Sequence, residues 1–214
     1  RMRWPRSRPK PPYKLLSLLL QYPSEEILEQ RTELAEAIAE LPASPARVAL
    51  ERFFAHFGVH PAVELQQEYV ATFDLQKRSS LYLSFYTEGD TRKRGMALLR
   101  LKHIYGAAGL RLGGRELPDY LPVMLEFAEM APEGLGGRIL AEHRTGLEVL
   151  RLHLRESESA YVHLLEAICM GLPRLRLAEL EKARSLLQEG PPDEQVGLQP
   201  FAPPEVMPAM EARR

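Results

Sequence analysis

Apolar residues recur along most of the chain at intervals of three and four, which lines one face of an α-helix, and almost nowhere at intervals of two. Residues 11–21 read as a first short helix. Pro23 stops it, Ser24 supplies an N-cap, and Glu25 and Glu26 place acids in the first turn of a second helix. That helix runs through residue 40 with Ile27, Leu34, Ile38 and Leu41 on one face. Ser44 followed by Pro45 opens a third, ended by Gly58, and Pro61 opens a fourth with Leu65, Tyr69 and Phe73 at intervals of four. Residues 81–86 alternate weakly but are read as a short helix, because a lone strand leaves its backbone without partners. The Gly89-Asp90-Thr91 stretch caps a long helix with Leu98, Leu101, Tyr105 and Ala108 inward. Asp119 caps the next, through Met130, with Pro122 harmless in its first turn.

Residues 131–137 read as a glycine-rich connector, and 138–156 as one helix carrying Leu140, His143, Leu147, Leu150 and Leu154. Ser157 or Ser159 caps a helix over 161–170, and Gly171 and Pro173 separate it from a last one ending at residue 189. The connectors are short, so the expectation is one all-α domain over residues 13–189, a bundle of about ten helices. A basic arm (1–12) precedes it, and a Pro-rich acidic tail (190–214) follows; both are expected to be disordered.

Composition agrees with helices, since Leu far outnumbers Ile and Val together. A net charge of −1 selects no polyanionic partner, so nucleic acid is not expected. Cys169 is the sole cysteine, which excludes an internal disulfide and any multi-cysteine metal site. The six histidines form no H-E-x-x-H pattern, and no metal is expected. No apolar run approaches the ~20 residues that span a bilayer, and the basic opening lacks the apolar stretch of a signal peptide. A cytoplasmic location is expected. The glycines at 134–137 have neither a preceding strand nor a following G-K-[ST], so they are not read as a phosphate loop.

The stretch E-L-P-D-Y-L-P-V-M-L-E-F at 116–127 sets two carboxylates ahead of an apolar helix. An N-cap role accounts for Asp119 but not for Glu116 or Tyr120. Three cations, Arg92, Lys93 and Arg94, occupy the first turn of the helix before it, the unfavourable end for its dipole. From the residues alone the reading stops at a helical domain, with an assembly protein, a small cofactor-binding protein or enzyme, and a scaffold all open.

The same stretch resembles the E-x-P-D-H signature of assembly chaperones for molybdenum enzymes, the TorD/DmsD-like redox enzyme maturation family. Within it, the respiratory nitrate reductase delta-subunit (NarJ-type) branch is similar at further places. These are L-L-S-L-L-L-Q-Y-P at 15–23, E-Y-V-A-T-F-D at 68–74, R-S-S-L-Y-L-S-F-Y-T-E-G-D-T-R-K-R-G-M-A-L-L at 78–99 and D-E-Q-V at 193–196. Tyr120 stands where that motif has histidine.

The resemblance implies a TorD-like all-helical fold, no catalysis and no cofactor of its own. It implies that the partner is the N-terminal segment of the nitrate reductase catalytic (alpha) subunit. The apoenzyme would be held for molybdenum cofactor and iron–sulfur cluster insertion, alongside molybdenum cofactor delivery proteins, with membrane proximity only through the client. A monomer is expected, with dimerisation by helix exchange left open. For the client peptide, the expected groove comprises Tyr69, Phe73, Tyr82, Tyr86, Glu116, Pro118, Asp119, Tyr120 and Met124, with Arg92 and Arg94 at the rim. Glu116 and Asp119 would face the positive end of the peptide, Asp119 offering it the oxygen not used in capping.

Overall fold

The computed structural model describes residues 10–113 and 116–192. Most of the basic arm and the tail with D-E-Q-V at 193–196 lie outside the described residues. Within them the fold is all-α, with twelve α-helices. They are α1 (Tyr13–Leu19), α2 (Glu25–Glu29), α3 (Arg31–Glu40), α4 (Pro45–Phe57), α5 (Ala62–Tyr69), α6 (Leu83–Glu88), α7 (Arg92–Ala107), α8 (Leu121–Met130), α9 (Leu135–Glu142), α10 (Arg144–Glu156), α11 (Val162–Met170) and α12 (Leu177–Glu189). Starts match residue chemistry where a cap is present. Ser24 accepts from the Ile27 N–H, and Ser44 accepts from the Arg47 N–H.

α10 and α11 form the centre. α4 and α10 pack along α11, α12 lies on α10, and α1 lies along α8. The central residues Leu147, Leu150, Leu154, Leu164, Leu165, Ala167 and Ile168 are fully buried. α1 is tied to α8 by the Ser17 hydroxyl, which donates to the Pro122 carbonyl at 2.8 Å.

The count exceeds the expected ten because two predicted helices are each two. Residues 24–40 break at Gln30 and 138–156 at His143, both with φ and ψ outside the helical region. A pattern of threes and fours survives a one-residue kink, so periodicity alone does not report it. The connector expected at 131–137 is also corrected: Gly136 and Gly137 are buried inside α9. A Cβ on Gly136 would lie 2.2 Å from the Ala128 Cα, so glycine is what lets α9 cross α8 at backbone contact. After α12 the chain turns back, and the Pro192 carbonyl rests on Gly89 where any Cβ would collide with it; Gly89 has φ of +60°.

Candidate functional site

An open cleft of about 430 Å³ lies where three separate stretches meet. The first is the end of α5. There the helix widens into a single π turn, Val70–Asp74, closed by the Leu75 N–H donating to the Val70 carbonyl. Such turns are uncommon and concentrate at functional sites. This one presents Tyr69, Phe73 and Asp74 to the cleft, with the two rings 4.9 Å apart.

The second stretch is 80–85. Tyr82 is extended, and the backbone turns helical at Leu83. The expected short helix is present but starts two residues late. A partner for the extended part also exists, contrary to the expectation that it would have none. The Leu121 N–H donates to the Leu81 carbonyl and the Leu83 N–H to the Asp119 carbonyl, making an antiparallel bridge between Tyr82 and Tyr120. The third stretch is therefore the motif itself, clamped beside Tyr82. The Tyr105 hydroxyl holds it from below by donating to the Pro118 carbonyl at 2.8 Å.

Tyrosines make the floor. Tyr82 and Tyr120 lie 5.3 Å apart at 35°. The Tyr69 hydroxyl donates to the Leu20 carbonyl, and with its single hydrogen so used it accepts from Tyr120, 3.3 Å away. Burial pushes the Tyr69, Tyr82 and Tyr120 hydroxyls above the ordinary phenol range, so none titrates near neutrality. Charge comes from Asp74, Asp90 and Glu116 against Lys77 and Arg94.

Of the expected residues, the cleft brings together Tyr69, Phe73, Tyr82, Glu116, Tyr120 and Arg94. Tyr86 and Met124 are instead core residues, 2% and 1% exposed, and the single O–H of Tyr86 points inward, within hydrogen-bond distance of the Arg78 and Ser80 carbonyls. Pro118 is buried and contributes the carbonyl bound by Tyr105. Arg92 is exposed and does not line the cleft.

The capping role expected of Asp119 is corrected. The N-cap of α8 is Tyr120, with no side-chain hydrogen bond. Asp119 is 0% exposed; its Oδ2 accepts from the Ser84 hydroxyl and lies 3.6 Å from Arg94, and its Oδ1 has no partner. With Arg94 in place over it, a carboxyl so enclosed offers no oxygen to an incoming chain. Sequence reasoning did not assign Asp74, Gln76, Ser80 and Phe85 to the cleft. Phe85, three residues after Tyr82 on a helix that begins there, was recoverable from i,i+3 spacing.

A larger cleft of about 1150 Å³ lies elsewhere, lined by Pro12, Pro42, Leu172 and Leu180 with Arg144, Glu148, Arg151 and Cys169. Burial alone would raise the Glu148 carboxyl, but hydrogen bonds from Arg151 and Arg144, and their charge, outweigh it and hold the group below the usual range. Burial pushes the Cys169 thiol up to about 11, which leaves it unreactive. Among the described residues no group of three His, Cys, Asp or Glu could hold a metal, and no helix is long and apolar enough to cross a membrane.

The family model described as nitrate reductase delta subunit matches residues 26–167, and these contain all three cleft-forming stretches. The chain belongs to that family. A relative from Bacillus subtilis, named as a probable nitrate reductase molybdenum cofactor assembly chaperone NarJ, is 32% identical over 78% of this chain and 91% of its own length. The Escherichia coli (strain K12) protein named nitrate reductase molybdenum cofactor assembly chaperone NarJ is 32% identical over 72% of this chain, which spans 66% of that relative. A third, the nitrate reductase-like protein NarX of Mycobacterium tuberculosis, is 34% identical over 73% of this chain but only 24% of its own length. The delta-subunit relatives carry names of assembly proteins rather than of catalysts, in line with the expected non-catalytic role.

Proposed function

We propose that the protein is the assembly chaperone of a respiratory nitrate reductase, working in the cytoplasm. It takes the N-terminal segment of the catalytic (alpha) subunit into the tyrosine-floored cleft. It keeps the apoenzyme open to molybdenum cofactor and iron–sulfur cluster insertion before membrane attachment, with cofactor delivery proteins as transient partners. One observation carries the reading. Of the stretches that resemble the delta-subunit branch, 68–74 and 78–99 are near neighbours in sequence and 116–127 lies well downstream, yet all three contribute side chains to one open cleft. Packing alone would scatter such stretches through the core.

The physical logic is that of a disordered segment folding onto a groove. Tyr69, Phe73, Tyr82 and Phe85 give apolar and aromatic contact, and Glu116, exposed at the lip, attracts a cationic end. Ordering the segment costs several kcal/mol, about 2–5, which keeps the complex reversible. The test is calorimetric titration with synthetic N-terminal peptides of nitrate reductase catalytic subunits. Binding of one of them, weakened about tenfold by Glu116→Gln with the melting temperature unchanged, is the expected outcome. Affinity indifferent to Glu116→Gln removes the charge role, and no binding of any such peptide rejects the reading.

A further inference from the structure

The cleft already holds a guanidinium, the protein's own. Arg94 rises from the first turn of α7, and its Cζ lies 5.8 Å from the centre of the Tyr82 ring and 5.9 Å from that of Phe85. One amino group donates to Asp90 at 3.1 Å, and the other faces Asp119 at 3.6 Å. Two aromatic faces and two carboxylates around a planar cation are the components of a guanidinium receptor.

The resident fits it poorly. The Arg94 Nε is buried without an acceptor, and the wholly buried Asp119 has an oxygen without a donor. The 3.6 Å separation from Asp119 is well beyond the about 2.7–2.9 Å of a charge-assisted hydrogen bond. The cation also stands at the positive end of its helix beside Arg92 and Lys93, with no acid in that first turn. A half-satisfied network of this kind is less favourable than either a complete one or none. Meanwhile Asp90, the better partner of Arg94, is largely exposed and four residues away on the same side, so the pair can move outward together.

We infer that the cleft contains a guanidinium-selective subsite which Arg94 fills while the cleft is empty, and that an arginine of the bound segment displaces it from Tyr82 and Phe85. The second half rests on the peptide-binding reading above; the first stands on the geometry. A lysine is a poor replacement, because its compact ammonium cannot lie flat between the rings. Arg94 thereby competes with segments that bring an arginine into the subsite and lowers their apparent affinity, while a segment without one leaves Arg94 in place and is unaffected.

The test uses the full chain with Arg94→Ala and, should that variant fold poorly, Arg94→Gln. Thermal unfolding is followed with N-acetyl-L-argininamide and, separately, with N-acetyl-L-lysinamide, each at about 10 mM. The variant is expected to melt below the wild type and to regain most of the loss with the arginine amide alone. The wild type, its subsite filled, is expected to respond to neither. Equal responses to the two amides, or equal responses of variant and wild type, overturn the subsite. Titration with a client peptide then addresses displacement. Arg94→Ala is expected to tighten an arginine-containing peptide about tenfold and its arginine-to-lysine analogue not at all. A peptide that binds the wild type and is not tightened refutes displacement. Amide rescue without binding of any peptide leaves the subsite standing and removes the client reading instead.

Discussion

Glu116 and Asp119 stand three residues apart in one motif and meet opposite environments. Glu116 is exposed at the cleft lip, whereas Asp119 is sealed beneath it against Ser84 and Arg94. Their substitutions should separate accordingly. Glu116→Gln acts on binding and leaves stability alone. Asp119→Ala strands the buried Ser84 hydroxyl and removes the charge facing Arg94, at a cost of about 1–3 kcal/mol. For a chain of this size that lowers the melting temperature by roughly 2–4 °C per kcal/mol, which calorimetry reads directly. The sequence carried the motif but not this division. A capping aspartate and a buried one look alike before an apolar helix, and the residue that decides between them, Ser84, lies 35 positions upstream. Tyr120 makes a second test at this scale. Its hydroxyl titrates far above neutrality, so peptide binding should be flat between about pH 6 and 8. Tyr120→His introduces a group that charges as pH falls, beside Tyr82 and near Glu116. It should weaken a cationic peptide toward the acid side, and titrations at several pH values would expose the step.

At the level of elements, caps and stops announced themselves while close approaches did not. Ser24 and Ser44 start their helices as their chemistry dictates, because the hydrogen bond involved is local. The start of α9 was missed for the opposite reason. Gly136 reads as a loop former, yet its role is to let α8 pass at backbone distance, a relation between segments that periodicity cannot contain. Gly136→Ala drives a methyl into the Ala128 main chain, which has nowhere to retreat within a buried helix pair. A loss of about 1–3 kcal/mol is expected, measured by urea unfolding. A substitution in a true connector would cost far less. Tyr82, extended ahead of α6, follows the same rule: its partner is the motif segment nearly forty residues on, so the bridge was invisible locally.

Across the whole molecule, the helical class was legible because α4, α10, α11 and α12 each carry a continuous apolar face that the bundle buries. The charged cluster on α10 was not, since nothing in the spacing of Arg144, Glu148 and Arg151 distinguishes them from a solvated face. It sets how the fold responds to acid. The Glu148 carboxyl is held below its ordinary value of 4.5, so its contribution is complete above that value and is lost as pH falls through the lowered folded one. Protonation there leaves two arginines facing each other. Unfolding free energy should therefore drop with falling pH below about 4.5, and Glu148→Gln should flatten that slope while lowering stability at neutrality.

The return of the chain onto Gly89 has a practical consequence. Position 192 touches the residue next to Asp90, at the edge of the tyrosine-floored cleft. The native thiol at Cys169 stays protonated and inert at neutral pH. A cysteine placed at 192 would thus accept a dye selectively, and its emission would register each arrival and departure in real time.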